Sequence, residues 1–241
     1  AGTGDEPPAA APPDQRALLE QLRTEGASLR GEELWQFRTL LDQVAAAHAW
    51  TRRRREDRPG LSKHIDELDP LPTLHRELGR TLEPSGEVRD DASPDLAKIR
   101  RSIRALRDRL SKQLESIARA LGAAESFVTL REGRYVIAVP ASQRRLVPGT
   151  PLGHSGSGAT VFVEPREVAE ANSQLAEVSL DELREVDRIL RDLSAAARRE
   201  RDALARDLEC LARLDAAQAV ASWAGAADAQ LPDLSEERTF R

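Results

Sequence analysis

FVTLREGRYVIAVPASQRRLVPGTPLGHSGSGATVFVEP, Phe127 to Pro165, is the one strong β pattern in a chain that otherwise reads as helix. Phe127–Leu130 and Tyr135–Val139 are apolar and β-branched, and Glu132-Gly133 stands between them, which predicts a hairpin. Val161–Val163 predicts a further strand, entered through the tight turn of Gly156–Gly158. Ser142–Pro148 reads as a connection between strands. Long helical patterns lead into this island and out of it. The fold class is therefore mainly α: a helical core and a long antiparallel pair of helices ending in a small β tip.

Upstream, Ser93-Pro94-Asp95 supplies an N-cap, a proline at the first helical position and an early acid. The helix it opens runs to Leu121, where Gly122 ends it. Leu96, Ile99, Ile103, Leu106, Leu110, Leu114, Ile117 and Leu121 form one narrow apolar seam at spacings of three and four. Lys98, Arg100, Arg101, Arg104, Arg107, Arg109, Lys112 and Arg119 occupy the other faces. Downstream, Glu164-Pro165 opens a helix that reaches Trp223, with Gly225 and Pro232 closing it. Val168 and Leu175 form one seam. Leu183, Leu190, Ala197, Leu204 and Leu211 recur every seven residues as another, so the phase slip predicts a kink between Val178 and Leu183. Two opposed helices joined by a compact tip bury their seams against each other.

The earlier part is less patterned. Ala1–Pro13 reads as a flexible lead-in. Helices follow from Asp14, over Gly31–Arg54, over Ser62–Leu68 and over Pro72–Gly79, with Pro59-Gly60 as a breaker and Thr81–Pro94 as a loop. The basic run Arg52–Arg55 suits a helix C-terminus. The resulting divisions are 1–13, a helical core part at 14–93, a first arm at 94–126, the β tip at 127–165 and a second arm at 166–241.

Composition narrows the function. Of 241 residues 32% are charged and 3% aromatic, which suits long helices better than a large compact core. The net charge of −5 restricts any nucleic-acid role to local patches. The single Cys210 rules out an internal disulfide and fits a core thiol in a reducing cytoplasm. No apolar run spans a membrane. No stretch reads as a signal peptide, and residue 1 is Ala, so a mature or excised fragment is expected. Gly153–Gly158 is not a phosphate loop, because Gly158 is followed by Ala159-Thr160 and not by Lys-Ser or Lys-Thr. His154-Ser155 are neighbours in sequence and lack a third group, so they make no catalytic pair. His48, His64, His75 and His154 lack metal-ligand spacing. No site in the chain supports an enzyme.

What remains is a basic set in the β island. Arg131, Arg134, Arg144, Arg145 and His154 fall on turns and strand edges, with the hydroxyls of Ser155, Ser157 and Thr160 and the open backbone of Gly156 and Gly158. Guanidinium groups and hydroxyls on turns suit phosphate contacts. Few aromatics interleave them, so backbone contact is expected and base stacking is not. Arg144 and Arg145 are expected to project where the core has no use for them. Arg100, Arg104 and Arg107 offer a second basic face.

These residues carry a family resemblance. LREGRYVIAVPASQRRLVPGTPLGHSGSGATVFVEPREVAEANSQL, Leu130 to Leu175, resembles the second bacterial subfamily of MutS proteins, with its RDGRYVIPVK, its VPGIVHDQSASGATLFIEP and its helix start carrying LNN. GEVRDDASPDLAKIRR, Gly86–Arg101, resembles the family's GEV-x-DSASPELARIRR. EERTFR, Glu236–Arg241, resembles the segment just before its ATPase domain. The resemblance covers Gly31 to Arg241. One departure is His154-Ser155-Gly156, where the family often has Asp-Gln-Ser-Ala, so polar contacts there have changed chemistry.

The resemblance implies a core, lever and clamp without the ATPase and nuclease-like Smr domains. It implies no cofactor in this chain, since ATP and Mg belong to the ATPase domain, which is also the homodimer contact. The implied partners are DNA, in particular branched DNA in recombination suppression, and the ribosome and its rRNA when collided ribosomes are split. A membrane is not among them, and the place is the cytoplasm. A purely structural coiled-coil interaction module is the alternative from another class.

Overall fold

The computed structural model describes residues 14–52, 64–120, 122 and 126–229. The expectations for the lead-in 1–13, Arg53–Arg55, the Pro59-Gly60 break, the helix start at Ser62, Leu121, Pro232 and the tail Glu236–Arg241 fall outside them. Six helices and four strands are described: α1 Arg16–Gln21, α2 Gly31–Arg52, α3 Pro72–Thr81, α4 Pro94–Ala120, β1 Phe127–Arg131, β2 Arg134–Pro140, β3 Gly149–His154, β4 Thr160–Pro165, α5 Arg166–Arg199 and α6 Arg201–Ala226. A further helical turn covers 64–66. The protein is mainly α with one small antiparallel sheet. It divides into two compact units, 1–89 with 190–241, and 90–189.

In the first unit α2 supplies the centre. Leu34, Phe37, Leu40, Leu41 and Val44 are fully buried at helical spacing, as read from the sequence. The segment between α1 and α2 is pinned by polar groups of α5. The Ser194 hydroxyl accepts from the Leu29 amide at 2.9 Å, and Arg198 donates to the carbonyls of Leu22 and Ala27 at 2.9 and 2.7 Å. On α6, Asp207 accepts from the Asp69 amide at 2.9 Å and so holds the entry to α3. Asp207 is 1% exposed. Burial pushes its carboxyl up to about 6, helped by the Asp69 carboxylate and opposed by the Asp69 amide hydrogen bond and by Arg206 and His48. Cys210 is half-buried and donates to the His64 carbonyl, and burial raises its thiol pKa, which fits a packing role.

In the second unit the Ser93 hydroxyl accepts from the Leu96 amide at 3.0 Å, the N-cap expected of Ser93-Pro94-Asp95. It also donates to Glu185 on α5 at 2.7 Å. The α4 seam closes as read: Ile103, Leu106, Leu110 and Leu114 are buried with Val168, Ala171 and Leu175 of α5 and the inner face of the sheet. The Gly122 amide donates to the Arg119 carbonyl where α4 ends.

Two expectations for the second long helix are corrected. It runs unbroken through Val178–Leu183 and is interrupted at Glu200, between α5 and α6. Leu183 is 66% exposed and no part of a seam. The buried stripe passes through Val168, Ala171, Leu175, Val178, Glu182, Val186, Ile189, Leu193 and Ala197, at a mean spacing of 3.6, so no phase slip exists. Glu182 disguises it, because this half-buried stripe position is an acid that receives Arg100 of α4 at 2.7 Å. Gly225 lies inside α6 rather than at its end.

Two variants check this packing. Leu106→Ala should lower stability by about 2–4 kcal/mol in denaturant unfolding, as a large-to-small core change, whereas an unchanged midpoint would contradict the buried seam. Asp207 has a folded-state pKa above its unfolded value, so its ionisation penalises the fold as pH rises from about 4 to about 6. Asp207→Asn keeps the acceptor for Asp69 and removes that penalty. Its advantage over wild type should be near zero at pH 4 and reach about 2–3 kcal/mol above pH 6.

Candidate nucleic-acid interface

The sheet order is β1-β2-β4-β3, antiparallel throughout. Glu132 and Gly133 both take positive φ, +50° and +74°, the primed turn that a two-residue hairpin with right-handed twist requires. β3 was not read from the sequence: Gly149–His154 contains a proline and two glycines, all poor strand formers. It forms because it lies at an edge, where Pro151 costs no ladder bond. A Cβ at Gly149 would come 2.0 Å from the Glu164 carbonyl oxygen, so glycine alone admits this approach. Ser142–Pro148 is occupied largely by a 3-10 helix, Ala141–Leu146.

Register determines which candidate residues meet. Pro140 lies opposite Thr160, and Arg131 opposite Arg134. The hairpin turn with Arg131 and Arg134 is therefore at one end of β2, and the Ser155–Ala159 turn at the other, about 20 Å away. The basic set read as one patch is distributed along the sheet.

Several of its members serve the fold. Arg134 is ion-paired with Glu164 and donates to the Ser173 hydroxyl at 3.1 Å. Arg144 donates to the carbonyls of Val147 and Gly149, both at 2.8 Å, so the expectation that the fold has no use for it is corrected. The Ser155 hydroxyl accepts from the Thr160 amide at 3.1 Å and lies 3.3 Å from the Ser157 hydroxyl. Arg131, Arg145, His154 and Ser157 are exposed. Arg131 extends over the outer face of the sheet, its guanidinium 3.9 Å from the Phe162 ring centroid. Arg145 has no carboxylate partner among the described residues. On α4, Arg100 and Arg104 are held by Asp90 at 2.6 and 2.9 Å. The Arg100 and then the Arg104 hydrogen bonds keep the Asp90 carboxyl below its ordinary range. Only Arg107 of that trio is exposed without such a partner among the described residues.

The residue that sequence reasoning passed over is Asn172, 1% exposed on α5. The register runs Ile137 opposite Val163, so Tyr135 would face Pro165, which has no amide to donate. Asn172 takes the place of the missing strand partner. Its Oδ1 accepts from the Tyr135 amide at 3.0 Å, and its Nδ2 donates to the Tyr135 carbonyl at 2.9 Å and to the Glu164 carboxylate at 2.7 Å. The available signal was a proline ending a strand, followed seven residues later by an amide side chain. Asn172→Ala should cost at least about 2 kcal/mol in thermal or chemical unfolding, because it leaves the buried Glu164 carboxylate and both backbone groups of the half-buried Tyr135 without this partner.

Among the described residues no group of three or more His, Cys, Asp or Glu could hold a metal ion. No described helix is long and apolar enough to cross a membrane. No protein-family model matches the chain. Curated relatives do. The Endonuclease MutS2 of Thermomicrobium roseum is 40% identical over 228 residues, covering 94% of this chain and 27% of the relative. That of Pelotomaculum thermopropionicum is 36% identical over 228 residues, covering 93% of this chain and 29% of the relative. That of Symbiobacterium thermophilum is 40% identical over 158 residues, 62% of this chain. The chain thus spans less than a third of the length of the first two of these relatives, and it is a segment of a MutS2-like protein.

Proposed function

We propose that this segment binds nucleic acid for a MutS2-like ATPase and endonuclease, with the sheet acting as the clamp and the paired helices α4 and α5 as the lever. The supporting observation is a local charge excess in a chain of net charge −5. Residues 126–165 hold four Arg against two Glu, and one of those Glu, Glu164, is buried with Arg134. Arg131, Arg145 and His154 are left exposed, which suits contact with phosphates. In this reading the target is branched DNA, and the rRNA of collided ribosomes is a second. Catalysis, ATP and Mg2+ belong to other parts of the protein, and its place is the cytoplasm.

The test is binding of the chain to a four-way junction, to linear duplex and to ribosomes between about 50 and 200 mM salt. Arg145→Ala should leave the melting temperature unchanged and reduce the slope of log affinity against log salt by about 1 on duplex DNA. Arg144→Ala should instead lower the melting temperature, because it frees the Val147 and Gly149 carbonyls. Weak binding that ignores salt would favour the structural interaction module.

A further inference from the structure

We infer that the outer face of the sheet stacks unpaired nucleobases, on the ring of Phe127 and on the free side of the Arg131 guanidinium. The inference rests on the nucleic-acid reading above and names the part of the ligand that this face recognises.

The geometry starts from register. Phe127 lies opposite Ala138, and Ala138 opposite Phe162, so one row across β1, β2 and β4 carries two of the four phenylalanines of the chain. Partners in an antiparallel ladder share a face. That face is the outer one, since Val136, Ala138 and Phe162 cluster apart from the core under α4 and α5, with the partly buried Leu152 packed against them. Arg131 shares the face by alternation along β1. To bring its guanidinium over Phe162 it reaches across β2, whose Val136 and Ala138 are fully buried.

Two flat surfaces result. Phe127, the first residue of β1, is 57% exposed, a high value for a phenylalanine. The Arg131 guanidinium lies over a ring, and the residue is exposed, with no carboxylate partner among the described residues. Arginine planes and aromatic rings stack on any base, whatever its identity. A base must be unpaired to reach them, so the ligand is a single-stranded or locally opened segment. Charge selects this occupant over an apolar peptide, because Arg131 is the exposed charged side chain that register and alternation put on this face. The low aromatic content of the whole chain hid the feature, which depends on where two rings fall.

The test uses the 241-residue chain with single-stranded DNA, single-stranded RNA and blunt duplex, each also carrying 2-aminopurine. Stacking should quench 2-aminopurine in the single strands on binding. Phe127→Ala should weaken single-strand binding about tenfold and leave duplex binding within about twofold, with an unchanged melting curve. Phe127→Tyr should restore it. Arg131→Lys keeps the charge, so it should weaken single-strand binding while preserving the salt slope. A base is common to both backbones, so the more tightly bound arm identifies the source. Binding without quenching, or equal loss on single strand and duplex, overturns stacking and leaves phosphate contact standing. Failure to bind any nucleic acid removes the clamp reading and this inference together.

Discussion

Glu164 places a carboxylate at the penultimate residue of β4, where it is almost wholly out of water. A buried charge is tolerated only when paired and hydrogen-bonded. Arg134 supplies the charge from the hairpin, and Asn172 supplies an amide hydrogen from α5. The same Asn172 satisfies both backbone groups of Tyr135. One cluster therefore terminates the β2–β4 ladder, turns the chain into α5 and fixes that helix against the sheet. Because each partner would be costly to leave unpaired, the geometry is specified as well as stabilised.

That constraint decides what is left for a ligand. Arg134 and Arg144 are spent on holding the sheet and its 3-10 connection, and Arg100 and Arg104 on Asp90 and Glu182. Within residues 126–165 the exposed basic side chains are Arg131, Arg145 and His154. Counting basic residues along the sequence overstates the free positive charge of this unit. The structure separates arginines whose guanidinium groups satisfy carbonyls and carboxylates from those that face solvent.

The long helices show the same interplay. In α5 the stripe passes through Glu182, an acid accommodated because Arg100 stands opposite. Ser93 and Arg188 both bond Glu185, and Arg188 draws its carboxyl down to about 2 against the cost of desolvation. Such pairs on half-buried faces contribute modestly to stability. Their effect here is on helix phase, since they make polar residues part of the contact stripe. The interruption at Glu200 falls among Arg198, Arg199 and Arg201, all good helix formers, so nothing local encodes it.

Much was legible in the residues themselves. The Ser93 cap, the α4 seam, the Glu132-Gly133 turn and the hairpin are short-range features, in which side-chain period and turn chemistry act within a few residues. The MutS2-like identity was readable for the same reason, as contiguous motifs. β3 was not, because its residues form a strand only where an edge and a Gly149-sized approach to Glu164 exist. The unbroken course of α5 and the position of Leu183 were not, because their phase depends on an arginine of another helix. Of the candidate site, sequence named the cations, but only tertiary structure could assign them to fold or solvent. It alone could set Phe127 and Phe162 in one row, since register joins residues 35 positions apart.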